Sequence, residues 1–173
     1  MPYCKHFNDT LTGAGFRSEQ GSKRFHCSHC EFVLYDVPKP CTNAIVVDGT
    51  RVLFGRRQPG GVEPGKWDIP GGFVELGESA EDATKREVRE ETGLEIELTG
   101  LLGVFHDHYD QWTTDTLSII YFARPVGGTL GASDDLVEVR WFERDALPED
   151  MAFQSNRDAL NAWLATLGLP PRY

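Results

Sequence analysis

Three glutamates, Glu87, Glu90 and Glu91, stand at i, i+3 and i+4 within the stretch GFVELGESAEDATKREVREETGL that runs from Gly72 to Leu94. On a helix that spacing brings the carboxylates close enough to repel one another. Carboxylates crowded in this way either take up protons or hold cations. Hard divalent ions such as Mg2+ or Mn2+, which prefer oxygen ligands, resolve the conflict. The element that positions them is a helix expected from Ser79 to Thr92. Ser79 is placed to cap it with Asp82 three residues on, and Gly93 supplies a stop that tolerates left-handed backbone. At about 100° per residue, Ala80, Ala83, Thr84, Glu87, Val88, Glu90 and Glu91 share one half of the helix. Glu81, Asp82, Lys85, Arg86 and Arg89 fall on the other, so the three acids are expected on the side that packs inward.

Before the helix, Ile69-Pro70-Gly71-Gly72 reads as a strand end followed by a glycine pair that lets backbone come close to a ligand or ion. At this point Gly72, Glu78, Arg86, Glu87, Val88, Glu90, Glu91, Gly93 and Leu94 fill, without a departure, the pattern G-x5-E-x7-R-E-U-x-E-E-x-G-U, with U an aliphatic residue. The stretch resembles the Nudix box of the Nudix hydrolases. The resemblance implies divalent-metal-dependent hydrolysis of a nucleoside diphosphate linked to another moiety. It also implies roles on the matching positions: Glu87, Glu90 and Glu91 with the Gly71 carbonyl as metal ligands, and Glu87 alternatively as the group that orients the nucleophile. Arg86 would form a salt bridge fixing Glu75 or another carboxylate of the box, and Glu78 would stabilise the loop before the helix. An acid ahead of a later strand, Asp135 or Glu138, often adds a metal ligand or a base in that family.

The remaining chain supplies the frame. With 173 residues, 40% hydrophobic and 11% aromatic, it suits one domain of ordinary size with a small appendage. The net charge of −10 argues against broad electrostatic binding to nucleic acid or an anionic membrane. A metal held by an acidic site still reverses the local field for an anionic substrate. No stretch approaches 18 apolar residues and MPYCKHFNDT lacks a signal-peptide core, so a cytoplasmic location is the expectation.

Residues 1–37 hold Cys4, His6, Cys27 and Cys30, two ligand pairs about twenty residues apart, the usual spacing of a small zinc ribbon. The segment resembles the ribbon that precedes the catalytic domain in some Nudix proteins, although Phe7 stands where the first knuckle normally has its second cysteine. His6, His26 or His29 could replace that ligand and complete a structural Zn2+ site; the alternative is a degenerate ribbon that has lost its metal and is held together by Phe7, Phe16, Phe25 and Phe32. Cys41, beyond Pro38-Lys39-Pro40, is expected to be a buried free thiol. Residues 38–173 are then the Nudix domain, an α/β/α sandwich on a mixed sheet.

Within it, Thr42–Val47 and Arg51–Gly55 around Asp48-Gly49 read as a hairpin. Arg56 and Arg57 leave it together, and one of them is a candidate for gripping a substrate phosphate. Trp67 is a candidate for base stacking as well as for the core. Leu94–Phe105 reads as one or two strands, Phe105–Trp112 as a loop, Thr116–Ala123 as a buried strand and Leu136–Phe142 as another. In the loop, His106, Asp107 and His108 are weighed as metal ligands and as substrate contacts. Leu160, Trp163, Leu164 and Leu167 give a terminal helix packed on the sheet.

NADH pyrophosphatases of the family carry an SQPWPFPxS-like signature that this chain lacks, so ADP-ribose-like or dinucleotide substrates lead. A nucleoside triphosphate pyrophosphatase and a non-catalytic nucleotide sensor are the alternatives. The partner expected is a nucleotide-derived small molecule, with a homodimer as a further expectation.

Overall fold

The computed structural model of the chain describes residues 16–18, 24–27, 30, 32–35, 37–109 and 114–173. It divides into two compact units, Met1–Pro38 and Lys39–Tyr173. In the first, β1 (Phe16–Ser18), β2 (Arg24–Cys27) and β3 (Val33–Tyr35) form a three-stranded antiparallel sheet in the order β1-β2-β3. Cys27 ends β2, is buried, and its N–H donates to the Phe32 carbonyl at 3.0 Å, while Cys30 is exposed. The other expected zinc ligands Cys4 and His6, together with His29, lie outside the described residues.

The second unit contains β4 (Lys39–Asp48), β5 (Arg51–Arg57), β6 (Trp67–Asp68), β7 (Gly71–Phe73), α1 (Ala80–Thr92), β8 (Leu94–Tyr109), β9 (Thr114–Gly128), β10 (Leu136–Glu143) and α2 (Gln154–Thr166). Its sheet runs β10-β5-β4-β9-β8, with β6 joined to β5 and β7 to β4. Among the described strands β4 and β9 pair in parallel and the other strand pairs are antiparallel, which makes the sheet mixed.

Alternation along the central strands divides the core between two faces. Ala44, Val46 and Leu53 point to one side, where they join Val88 of α1 with Leu94, Ile96 and Ala123. Ile45, Val52 and Phe54 point to the other and meet Ala159, Leu160, Trp163 and Leu164 of α2. These two packed faces are the α/β/α sandwich that the pattern of strands and helices predicted.

Three elements differ from expectation. The hairpin is short, because β4 pairs β5 only at Val47 and Asp48 before its earlier residues turn to β7 and β9. Strand β8 runs on to Tyr109 instead of giving way to a loop at Phe105. Helix α2 ends at Thr166, so Leu167 is 43% exposed and outside the apolar stripe.

Candidate active site

Helix α1 starts where its sequence says it must. The Ser79 hydroxyl oxygen accepts from the Asp82 N–H at 3.1 Å and donates to the Asp82 carboxylate at 2.8 Å. At the other end Gly93 adopts φ 71°, and its N–H closes on the Arg89 carbonyl. The acids it carries are graded in depth rather than equally inward. Glu91 is 4% exposed, the Glu87 side chain 13%, and that of Glu90 46%. Little more than one turn of helix thus presents a half-buried, an open and a buried carboxylate, at Glu87, Glu90 and Glu91 in that order.

Glu91 reaches β7, where its Oε2 accepts the Gly71 N–H at 2.9 Å. The expected Gly71 carbonyl ligand is therefore in the right neighbourhood, but the contact observed is made by its amide. Gly72 is needed for a different reason: a Cβ there would lie 2.5 Å from the Glu87 carboxyl carbon. Glycine lets the strand and the acid share that space.

Arg86 binds the acids together. Its Nε and Nη2 grip Glu78 at 2.9 and 3.0 Å, a bidentate fork. Nη1 donates to Glu87 at 2.8 Å and Glu90 at 3.0 Å, and Nη2 also reaches the Phe73 carbonyl. The partner is Glu78, not Glu75; Glu75 contributes its backbone, whose N–H donates to the Glu78 carboxylate at 3.1 Å and whose carbonyl accepts from the Glu78 N–H at 3.2 Å, which ties down the loop. Its bond to Arg86 holds the Glu78 carboxyl below its ordinary range. Burial pushes Glu91 well above that range, and raises Glu87 too, where nearby Glu90 and Asp134 add repulsion. Such carboxyls have either protons or cations as their resting partners, and a cluster of anionic oxygens suits a hard divalent ion.

A cavity of about 300 Å3 opens beside this cluster. Gly71, Gly72 and Phe73 form one wall and Lys39, Cys41 and Asn43 of β4 another. Thr116 and Ser118 of β9, Arg57, Val62, Asp68 and Asp135, and Phe153, Ser155 and Asn156 at the start of α2 complete the lining.

The paired arginines part company here. Arg57 lines the cavity, with Nη1 on Asp68 at 2.8 Å, Nε on the Val62 carbonyl at 2.6 Å, and its guanidinium 5.1 Å from the Phe153 ring. Arg56 faces away, bonded to the Gly65 carbonyl and 3.7 Å from Glu138. Trp67 does not line the cavity: it is 7% exposed, packs edge-on against Phe142 in the core, and has the Arg140 and Arg56 guanidiniums over its ring at 4.8 and 5.7 Å. Asp135 does line it, its carboxylate accepting from Gln58 at 3.0 Å. Cys41 also borders the cavity and is only partly covered, with burial pushing its thiol up to about 11.

Several contributors were not singled out from sequence. Asp68 is buried, bonded to Arg57 and to the Asn156 amide, and burial pushes it up to about 6 against the pull of Arg57. Asp134 holds left-handed backbone, φ 53°, and its charge reaches Glu87. Asp107 is not a metal ligand candidate beside two histidines. Alternation on β8 turns it inward, where its Oδ2 accepts from the Ser155 N–H at 3.2 Å and hydroxyl at 2.9 Å. His106 and His108 face outward and both contact Asp115 Oδ1, at 3.2 and 2.6 Å. Among the described residues no cluster of three histidine, cysteine or acidic side chains has the geometry of a preformed metal cage. No described helix is long and apolar enough to cross a membrane.

The NUDIX domain family model matches residues 37–164. The chain belongs to the Nudix family. An ADP-ribose pyrophosphatase of Methanocaldococcus jannaschii is 33% identical over 127 residues, 73% of this chain and 74% of that one. The NAD-capped RNA hydrolase NudC of Pseudomonas aeruginosa is 32% identical over 138 residues, 79% of this chain but only 47% of NudC. A Nudix hydrolase structure from Nitrosomonas europaea superposes with a TM-score of 0.74 at 24% identity, covering 100% of this chain and 97% of that one, a likeness of fold. This Nudix chain is accordingly a pyrophosphohydrolase acting on nucleoside diphosphates linked to another moiety, and Nudix hydrolases generally use Mg2+ or Mn2+.

Proposed function

We propose that this Nudix chain cleaves the pyrophosphate linkage of ADP-ribose-like or dinucleotide substrates with the help of Mg2+ or Mn2+. The observation that carries the reading is the junction of Glu87 and Glu91, with Glu90 tied to Glu87 through Arg86, against the Gly71-Gly72 wall of a cavity that also holds Arg57. The relative with the fullest two-way coverage among those described, the Methanocaldococcus protein, bears the name ADP-ribose pyrophosphatase.

The donor set fits the ion: carboxylates already pushed toward protonation by burial gain most from a divalent charge. Glu87, Glu90 and Glu91, with the Gly71 carbonyl and Asp135 as further oxygen donors, would hold it. When bound, the ion supplies Lewis acidity toward the phosphates and lowers the pKa of a coordinated water. Hydrolysis adds one water across a P–O–P bond, so that one bridging bond breaks and two phosphomonoesters leave.

Arg57 faces the cavity with Nη1 and Nε fixed and orients the substrate's phosphates by charge. Arg86, spread over Glu78, Glu87 and Glu90, is a positioning residue that keeps the carboxylates at their set depths. Zinc in the first unit, on Cys27 and Cys30 with Cys4 and His6, and assembly into a homodimer belong to the same proposal, as does a cytoplasmic location.

The test is phosphate release, coupled to a phosphatase, from a panel of nucleoside diphosphate derivatives and triphosphates with Mg2+, for wild type and Glu90→Gln. Turnover of ADP-ribose or a dinucleotide, abolished in the variant, is the expected result. Turnover of triphosphates alone would move the assignment to a triphosphate pyrophosphatase. Binding without turnover would make the chain a nucleotide sensor.

A further inference from the structure

Thr116 is 1% exposed, and among the described residues its Oγ1 is the one buried side-chain polar atom with no hydrogen-bond partner. The Cys41 thiol lies against it, a soft contact that leaves the hydroxyl without a nitrogen or oxygen partner. A buried hydroxyl whose one polar neighbour is a thiol sulfur, a weak partner, has recovered little of what it lost with its water, which native structures rarely tolerate without a use.

Its position gives the use. Thr116 lines the cavity and pairs with Asp107 across β8 and with Lys39 across β4. Asp107 in turn holds Ser155, so Thr116 sits where the start of α2 meets the sheet. Gly71, which carries the buried Glu91, pairs instead with Asn43. Lys39 and Asn43 are four residues apart on β4, which puts Thr116 about 13 Å from the acidic end along the strand direction. That is the scale on which a nucleoside separates its base from its diphosphate.

The surroundings of Thr116 also differ from the acidic end. Ser118 and Ser155 are uncharged and small, and Phe73 and Phe153 bring two aromatic rings into the lining. A cation sits near each ring: Lys39 Nζ is 5.6 Å from Phe73 and the Arg57 guanidinium 5.1 Å from Phe153. Asp107 already answers the first turn of α2, which favours a neutral hydrogen-bonding guest over a second anion there.

We infer that the Thr116 hydroxyl is a specificity-determining contact that hydrogen-bonds the edge of the substrate's nucleobase. The inference rests on the function proposed above and names the end of the cavity that reads the nucleoside. A site built to hydrogen-bond its guest rejects analogues that lack the matching group, because its own buried group stays unpaired.

The experiment is calorimetric binding with Mg2+ present, using AMP, GMP, CMP and UMP, with ribose 5-phosphate as the base-free probe. No probe contains a pyrophosphate bond, so the readout does not depend on catalysis. Thr116→Val keeps the shape and removes the hydroxyl. Its dissociation constant for the preferred nucleotide is expected to rise about five- to tenfold, the value of one net hydrogen bond. Ribose 5-phosphate binding and thermal stability should be unchanged, and Thr116→Ser should retain nucleotide affinity. Equal weakening of nucleotide and base-free probe, unchanged nucleotide affinity in Thr116→Val, or no nucleotide binding by wild type would overturn the inference. Failure of the hydrolysis panel with these affinities intact would remove the enzyme reading and leave this one standing.

Discussion

Helices α1 and α2 are each 13 residues long and cover opposite faces of the sheet, yet their first turns are held by different means. In α1 the cap is local: Ser79 and Asp82 satisfy the opening turn between themselves. In α2 the capping position is Phe153, which has no side-chain oxygen, and the task passes to Asp107 on β8, 48 residues before the Ser155 that it holds. The difference follows from what each helix delivers. Helix α1 brings its acids to the site by its own periodicity. Helix α2 brings Ser155 and Asn156, whose placement depends on a strand that must already be in register. A local cap sets a helix; a remote one sets a helix against a sheet.

The largest effect expected is chemical. Glu91→Gln should lower kcat/KM by about a hundredfold or more in the phosphate-release assay. The fold should persist, since burial already favours the neutral form of that carboxyl. If Asp107→Ala cost as much turnover with its fold intact, the division between a chemical helix and a positioned one would break.

Asp107→Ala is expected to act on stability instead. It strands two donors of Ser155, and urea unfolding should show a loss of about 2 kcal/mol. Ser79→Ala should cost about 1 kcal/mol by the same measurement, the usual worth of a side-chain cap. A reversed order would mean that the remote cap is the weaker one.

The smallest effect is that of pH on the metal-free protein. Asp68, pushed up to about 6, and Glu91, raised well above its ordinary range, bind protons more readily folded than unfolded. For Asp68 that contribution to stability is complete below about pH 4, the unfolded carboxyl range, and is lost as pH rises through about 6; Glu91 acts with the same sign. Scanning calorimetry should place the melting point of the metal-free protein about 3 °C higher at pH 5 than at pH 7. Asp68→Asn should shrink the difference, and saturating Mg2+ should do so by relieving Glu91.

What could be read in the sequence divides along the same line. The Ser79 cap, the Gly93 stop, the Glu87, Glu90 and Glu91 spacing and the apolar stripe of α2 are facts of neighbours within a turn or two. The sandwich followed from them and from the strand pattern. Arg57, Asp68 and Asn156 meet only after β5, β6 and α2 assemble, and nothing in their flanking residues marks the meeting. The depth of the three glutamates was likewise out of reach, since helical angle gives a side but not how far the opposing strand advances. For Asp107 the signal was present: alternation with His106 and His108 was enough to turn it inward, once the segment is read as strand.

Strand β8 is the last in the order of the sheet and, at 16 residues, its longest. A free edge of that length is a template on which another chain could polymerise. Its pairing with β9 slips between Glu95 and Ile96, Leu98 and Gly100, and Leu101 and Gly103. Each slip adds twist, and the two that place an extra residue on β8, at Thr99 and Leu102, interrupt its outward row of amides and carbonyls. Irregularities that look like blemishes in the ladder thus deny an approaching strand a straight edge on which to pair.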